Sequence, residues 1–353
     1  MRVLVTGGAG YIGSHTCLEL LTAGHEVCVL DNLHNGYLRA IERVSSLTNR
    51  MIEFTDCDIR DGEALNSAFA KFAPESVIHF AGLKAIGESS IKPLMYYDVN
   101  VGGSIAVIAA MERAGCTNIV FSSSAAVYGD PEYLPYDEEH PTRPVNPYGR
   151  TKLMAEQIIH DWVKTTPGRR ATALRYFNPI GAHVSGQIGE CPRGVPNNLM
   201  PYIAQVASGR RAELNIWGND YDTLDGTGLR DYIHVVDLAL AHVAALERQG
   251  AGDTFEAINV GSGKGATVLE MVRAFEAASN KKIPYRTAKR RQGDIDKFWS
   301  NPSKAEKILG WKVKKSIEQM CQDMWRWQKL NPEGYAEKII NVVNSGRKIN
   351  KKI

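Results

Sequence analysis

The chain has 353 residues, 44% of them hydrophobic and 23% charged. That is more than one hydrophobic core supports, and the composition excludes a disordered or fibrous polypeptide. The formal net charge is +3, but Arg347, Lys348, Lys351 and Lys352 put +4 in the last nine residues, so the body lies near −1 and carries no nucleic-acid footprint. No signal peptide and no run of about 20 apolar residues is read, so no membrane partner is expected. Six scattered cysteines (Cys17, Cys28, Cys57, Cys116, Cys191, Cys321) without a C-x-x-C pair fit reduced thiols in a cytoplasmic protein with no metal site.

The first apolar run, Val3-Leu4-Val5, leads into Thr6-Gly7-Gly8-Ala9-Gly10-Tyr11-Ile12-Gly13. Gly7, Gly10 and Gly13 make a G-x-x-G-x-x-G turn, where a backbone can approach a pyrophosphate seated on a helix N-terminus. A helical pattern from Ile12 to Leu21 closes at Gly24, and a second run, Val27 to Leu30, ends at Asp31, 18 residues after Gly13. A carboxylate at that spacing accepts from ribose hydroxyls and repels a 2′-phosphate; with Asn32 next rather than an arginine, the cofactor is expected to be NAD and not NADP. Asp58-Ile59 follows a third run and caps the adenine, or else Asp58 is a plain surface acid.

Helical patterns over Glu63–Phe72, Leu94–Arg113 and Tyr148–Val163 alternate with runs at Val77–Phe80, Ile119–Phe121 and Ala173–Phe177, which means repeated βαβ units. The fold expected is α/β, a Rossmann-type doubly wound parallel sheet with a smaller substrate-binding lobe. Residues 1–178 form the NAD-binding domain, with 232–262 returning to it. Residues 179–231, rich in Gly, Pro and Asn, and 263–345 form the second lobe, and 346–353 are a disordered basic tail. Leu94–Arg113 is apolar on more than one face (Val99, Val101, Ile105, Val107, Ile108, Met111), as for a helix shared between sheet and partner in a homodimer, or one buried within a single subunit.

Tyr148 and Lys152 stand four residues apart, on one face of a helix, so an ammonium can sit beside a phenol. Ser122-Ser123-Ser124 closes the preceding strand at the edge where open α/β sheets bind ligands. A free tyrosine has a pKa near 10, leaving about 0.1% phenolate at pH 7. A cation ~5 Å away is worth roughly 3 kcal/mol at an effective dielectric of 20, about two pKa units, so Lys152 is expected to help make Tyr148 a base. Ser124 would orient the reacting hydroxyl.

These motifs, with the strings FAGLKAIGES (80–89), FSSSAAVYG (121–129), RYFNPIGAH (175–183), PNNLMPYIAQVA (196–207) and GNDYDTLDGTGLRDYIHVVDLA (218–239), resemble the UDP-glucose 4-epimerase family of extended short-chain dehydrogenase/reductases over about residues 1–335. The resemblance implies NAD-dependent epimerisation of UDP-glucose and UDP-galactose at C4, as in galactose metabolism, and a homodimer. It implies NAD contacts from Tyr11, Ile12, Asp31, Asn32, Asp58, Ile59, Phe80, Ala81, Lys84, Asn100, Ser122, Tyr148, Lys152 and Phe177. It implies nucleotide-sugar contacts from Ser124, Tyr148, Asn178, Asn198, Asn215, Trp217, Arg230, Arg291, Asp294 and Phe298. Arg230 and Arg291 also suit a pyrophosphate and Asp294 ribose hydroxyls on physical grounds, although Lys289-Arg290-Arg291 would serve equally as a solvated basic run.

The chain departs from some members at Val99, where they carry an asparagine, and at Ala126, where they carry a threonine. Dehydratases of the superfamily place an Asp-Glu pair where this chain has Ala125-Ala126. A dehydratase, a decarboxylase or a non-catalytic NAD sensor is the alternative. Phe298, four residues after Asp294, is expected near the hexose or, alternatively, in the core with Trp299. A bulky tyrosine at that position in related epimerases accompanies a tight sugar pocket, and a small residue accompanies acceptance of 2-acetamido sugars.

Overall fold

Short runs of consecutive apolar residues need cover on both faces. The computed structural model, which describes residues 1–248, 254–291 and 294–336, supplies it with helices. In chain order the strands are β1 (Arg2–Thr6), β2 (Glu26–Asp31), β3 (Glu53–Asp56), β4 (Ser76–His79), β5 (Asn118–Ser124), β6 (Arg170–Tyr176), β7 (Asn178–Ile180), β8 (Leu214–Trp217), β9 (Leu229–His234), β10 (Thr254–Val260), β11 (Gly265–Thr267), β12 (Tyr285–Ala288) and β13 (Lys297–Phe298). The helices are α1 (Tyr11–Thr22), α2 (Leu38–Thr48), α3 (Gly62–Phe72), α4 (Ile86–Ile91), α5 (Pro93–Tyr96), α6 (Gly103–Ala114), α7 (Pro147–Thr165), α8 (Leu199–Ala207), α9 (Val235–Glu247), α10 (Val268–Ser279), α11 (Ser303–Leu309) and α12 (Ile317–Leu330).

Seven strands form a wholly parallel sheet in the order β10-β6-β5-β4-β1-β2-β3. Successive side chains of a strand alternate between faces. In β1, Val3 and Val5 join Leu20 of α1, Ile41 of α2 and Leu238 of α9, whereas Leu4 joins Phe69 of α3, Met111 of α6 and Ile159 of α7. The order reverses between β1 and β4, which opens a crevice at the carboxyl ends of the strands.

A second, smaller set of strands pairs around β9, with β7, β11 and β13, while β8 pairs with β12. Helices α8, α10 and α12 close a separate core of Met200, Ile203, Phe275, Met320 and Trp327. The apolar segment Tyr232–Leu246 divides between the two sheets: β9 lies in the small one, α9 packs on α1, and β10 then extends the large sheet beyond β6.

The long apolar helix read over Leu94–Arg113 is broken in register. A π-helical turn, Tyr97–Gly102, joins α5 to α6 and turns Asn100 inward, where it is buried. Such turns insert a residue and re-aim a side chain. By length and composition alone the 22 residues Pro93–Ala114 would suffice to cross a membrane, although Asp98, Asn100, Glu112 and Arg113 interrupt the apolar run. Val107, Ala110 and Met111 of this segment are instead packed in the core beneath the large sheet. The basic tail, 346–353, lies outside the described residues.

Candidate active site

The glycine turn sits between β1 and α1 as its spacing requires. Gly7 has φ +71°, and a Cβ there would stand 2.7 Å from the Ala81 amide nitrogen; one on Gly13 would stand 2.3 Å from the Gly7 carbonyl oxygen. Only glycine fits both positions. Helix α1 starts after Gly10 with no capping side chain and no acid in its first turn, which leaves its amides free for a phosphate. Ile12 packs against the core, and the Tyr11 hydroxyl donates to the Gly181 carbonyl at 2.7 Å, tying this turn to the second lobe.

Asp31, at the end of β2, is buried, and its carboxylate accepts from the amides of Ala9 (3.0 Å) and Leu33 (2.8 Å). Burial raises its pKa and the two amides oppose that rise. A carboxylate has about four acceptor sites, so capacity for ribose hydroxyls remains. Asn32 donates to Asp58 at 3.1 Å, and Arg60 also grips Asp58, holding that carboxyl well below the usual range. Ile59 packs against Gly103, where a Cβ would come within 2.3 Å of it. The Phe80 ring lies 4.7 Å from that of His242, and the Ala81 amide donates to Thr6.

Ser122, Ser123 and Ser124 close β5 and face α7 across the crevice. The Ser124 hydroxyl accepts from the Ala126 amide at 3.1 Å and lies close enough to the Tyr148 phenol to pull its pKa down. Ala125–Val127 form a single 3₁₀ turn, with no acid beside the serine. Lys152 is buried and donates to the Ser122 carbonyl at 2.7 Å; its ammonium lies 4.9 Å over the Phe121 ring. Burial lowers Lys152 to about 8, and Glu156 opposes that shift.

Burial raises the Tyr148 phenol and Ser124 pulls it down, with Lys152 not among the causes of the shift.

Glu156 was missed from the sequence, although it lies four residues after Lys152 on the same helical face and so was within reach of the same periodicity. It is buried, pairs with Arg175 at 2.7 Å and accepts from Ser123, locking α7 against β5 and β6. Asn100, read as a cofactor neighbour, has its amide committed elsewhere: it accepts from the Leu83 amide (2.7 Å) and donates to the Leu83 carbonyl and Thr151 (both 3.0 Å). It holds the loop after β4, which carries Lys84.

The second lobe faces this edge. Arg230 lies 4.8 Å over the Phe298 ring, and burial lowers its pKa, with Arg291 acting in the same direction. Two guanidinium groups close enough to repel make a site for an anion. Arg291 is 5.8 Å over Trp217 and donates to Asp294 at 3.0 Å, so the basic run is not simply solvated and Asp294 is ion-paired. Phe298 is not paired with Trp299; it stands 6.0 Å from Phe177 and 6.3 Å from Tyr136 in an aromatic cluster, which is also where Phe177 lies. Asn178 donates to the Asp231 carbonyl, Asn198 to Glu190, and Asn215 accepts from Arg286.

A family model described as GDP-mannose 4,6 dehydratase matches residues 4–324. The chain is 54% identical over 342 residues to the UDP-glucose 4-epimerase of Bos taurus, covering 95% of this chain and 98% of the relative. It is 55% identical over 335 residues to that of Bacillus subtilis, covering 95% and 99%. The solved UDP-glucose 4-epimerase of Bifidobacterium longum, in complex with NAD+ and UDP, superposes with a TM-score of 0.92 at 47% identity, covering 95% of this chain and 100% of that one. A parallel sheet with a glycine turn, a Tyr-Lys helix and no acidic pair after Ser124 agrees with these likenesses: the chain belongs to the nucleotide-sugar family of that model and, within it, to the UDP-glucose 4-epimerases.

Proposed function

We propose that this protein interconverts UDP-glucose and UDP-galactose by epimerising C4 through a 4-keto sugar, with NAD as its retained cofactor. The observation that carries the assignment of residues is the placement of Ser124, at the carboxyl end of β5, beside the Tyr148 phenol whose pKa it pulls down, with Lys152 buried against the Ser122 carbonyl. Bound NAD+ supplies a hydride acceptor and a positive charge. Tyr148 takes the proton from the C4 hydroxyl and Ser124 orients that hydroxyl. The phenol, raised by burial, needs a cation to act near neutral pH, which couples deprotonation to a filled cofactor site. Arg230 and Arg291 hold the pyrophosphate while the sugar turns to present its other face. The hydride and proton return to the same sugar, so no net oxidation occurs.

On this reading residues 1–178 and 232–262 form the NAD-binding domain, and 179–231 with 263–345 the UDP-sugar lobe. The free, scattered thiols fit a cytoplasmic enzyme. Leu94, Ile105 and Met154 are exposed apolar residues on adjacent helices, and we assign this face to a homodimer interface. Incubating the protein with UDP-galactose and no added NAD should yield UDP-glucose without release of NADH. Absence of turnover by protein that carries NAD would refute the reading.

A further inference from the structure

Glu190, in the loop before α8, is 7% exposed, and its Oε1 accepts from Asn198 Nδ2 at 2.8 Å and lies 3.5 Å from Lys84 Nζ. Its Oε2 is buried without a hydrogen-bond partner among the described residues. A buried carboxylate oxygen left unpaired is costly, and such an atom persists where a ligand's donor reaches it. Three neighbours say where that donor comes from. Lys84 follows β4 at the crevice, Asn198 opens α8 across from it, and Tyr11, which starts α1 at the glycine turn, is close enough for the Glu190 charge to raise its phenol further above the level set by burial. Three residues on, Arg193 donates to the carbonyls of Leu33 (3.2 Å) and Gly36 (3.0 Å) and stacks 4.6 Å over Tyr37, so the loop is anchored to the segment that joins β2 to α2.

We infer that Glu190 is a further ligand-binding residue: its free oxygen accepts a hydrogen bond from a sugar hydroxyl, while its other oxygen holds Lys84 and Asn198 in place. A hydroxyl is the fitting donor because a carboxylate oxygen beside an already engaged ammonium needs a neutral donor that anionic phosphates do not offer. The hydroxyl belongs to a ribose of the dinucleotide or to the hexose of the nucleotide sugar. The inference rests on the proposed function for the identity of these ligands, but its test reads binding rather than turnover.

Glu190→Gln keeps an acceptor for Asn198 and removes the charge; Glu190→Asp keeps the charge on a shorter arm. Calorimetry on the NAD-loaded protein would compare UDP-galactose with UDP, which lacks the hexose. NAD retention would be measured after extended dialysis. If the donor is on the hexose, Glu190→Gln weakens UDP-galactose by about tenfold and leaves UDP unchanged, the loss expected for one charge-assisted hydrogen bond. If it is on the dinucleotide, NAD is lost on dialysis while the ratio of UDP-galactose to UDP affinity holds. Glu190→Asp should retain more of whichever affinity is lost. A folded Glu190→Gln variant with both readouts at wild-type values would overturn the inference, as would equal losses for UDP and UDP-galactose with NAD retained. Wild-type protein that binds both ligands but does not epimerise would refute the function and leave this contact standing.

Discussion

In the large sheet the groups that handle the proton are neighbours in sequence: Ser122, Ser124, Tyr148 and Lys152 lie within one strand, one connection and one helix, braced by Glu156 and Arg175 from below. In the second lobe the corresponding brace is Asp231, fully buried on β9. It accepts from the amide and hydroxyl of Ser262 (2.7 and 2.5 Å), from those of Ser300 (3.0 and 2.6 Å) and from the Gly263 amide (3.2 Å). Three segments far apart in sequence meet at one carboxylate, next to Arg230. The seven parallel strands of the large sheet, four to seven residues long, carry continuous apolar runs covered on both faces, which settles their register. The small sheet has fewer and mostly shorter strands, of two to six residues, and adds a buried polar centre. On the proposed function, the proton chemistry falls on the large-sheet half and the nucleotide sugar on the half that Asp231 wires through hydrogen bonds.

The sharpest test of that division is Tyr148→Phe, which should lower kcat by ~10²–10⁴-fold, the range of general base catalysis, while UDP affinity measured by calorimetry stays at the wild-type value. Turnover near wild type would remove the proton chemistry from the large sheet. Asp231→Asn should cost about 3 kcal/mol in denaturant unfolding, because the amide cannot accept all five bonds and leaves buried donors unpaired. If the variant unfolds at the wild-type midpoint, the polar-centre account of the second lobe fails. Arg230→Met should raise KM for both UDP-sugars by about tenfold or more through loss of a charge-assisted contact, with the NAD content of the protein unaltered.

Two smaller effects refine the comparison. Phe298 is wedged against Phe177 and Tyr136 where the two halves meet. Added atoms in a packed site cost about 1–3 kcal/mol, so kcat/KM for UDP-galactose should exceed that for UDP-N-acetylgalactosamine by at least ~10-fold. Phe298→Cys should narrow the gap; equal values in the unmodified enzyme would refute the steric account. The last effect is on pH. Lys152 falls to about 8 by burial, against about 10.4 in the unfolded chain. Between those values the unfolded chain holds the extra proton, so stability of the cofactor-free protein should rise with pH from 8 to 10.4 and show no such dependence below 8. Lys152→Met should abolish the rise, as read from denaturant midpoints across that range.

The parallel sheet was legible from apolar runs such as Val27–Leu30, and the glycine turn from the spacing of Gly7, Gly10 and Gly13, because both are dictated by neighbours in sequence: side-chain alternation, a positive φ, a missing Cβ. The Tyr148–Lys152 pair was legible for the same reason, as helical periodicity is local. What the pair does electrostatically was not. Lys152 donates to the Ser122 carbonyl, and Tyr148 is raised by burial rather than lowered, since dielectric and hydrogen-bond partners depend on which strand and loop fold over the helix. Asn100 meets the Leu83 backbone through a π turn that no pattern announced. Asp231 and Arg193 gain their roles only from partners 31 to 160 residues away, and Glu190 from Lys84 as well as from the nearby Asn198. Local sequence therefore determined most of the elements, the glycine turn and the candidate reacting residues. Only tertiary structure decided their charge states and the joining of the two halves, because burial and long-range polar contacts exist only once the chain has closed on itself.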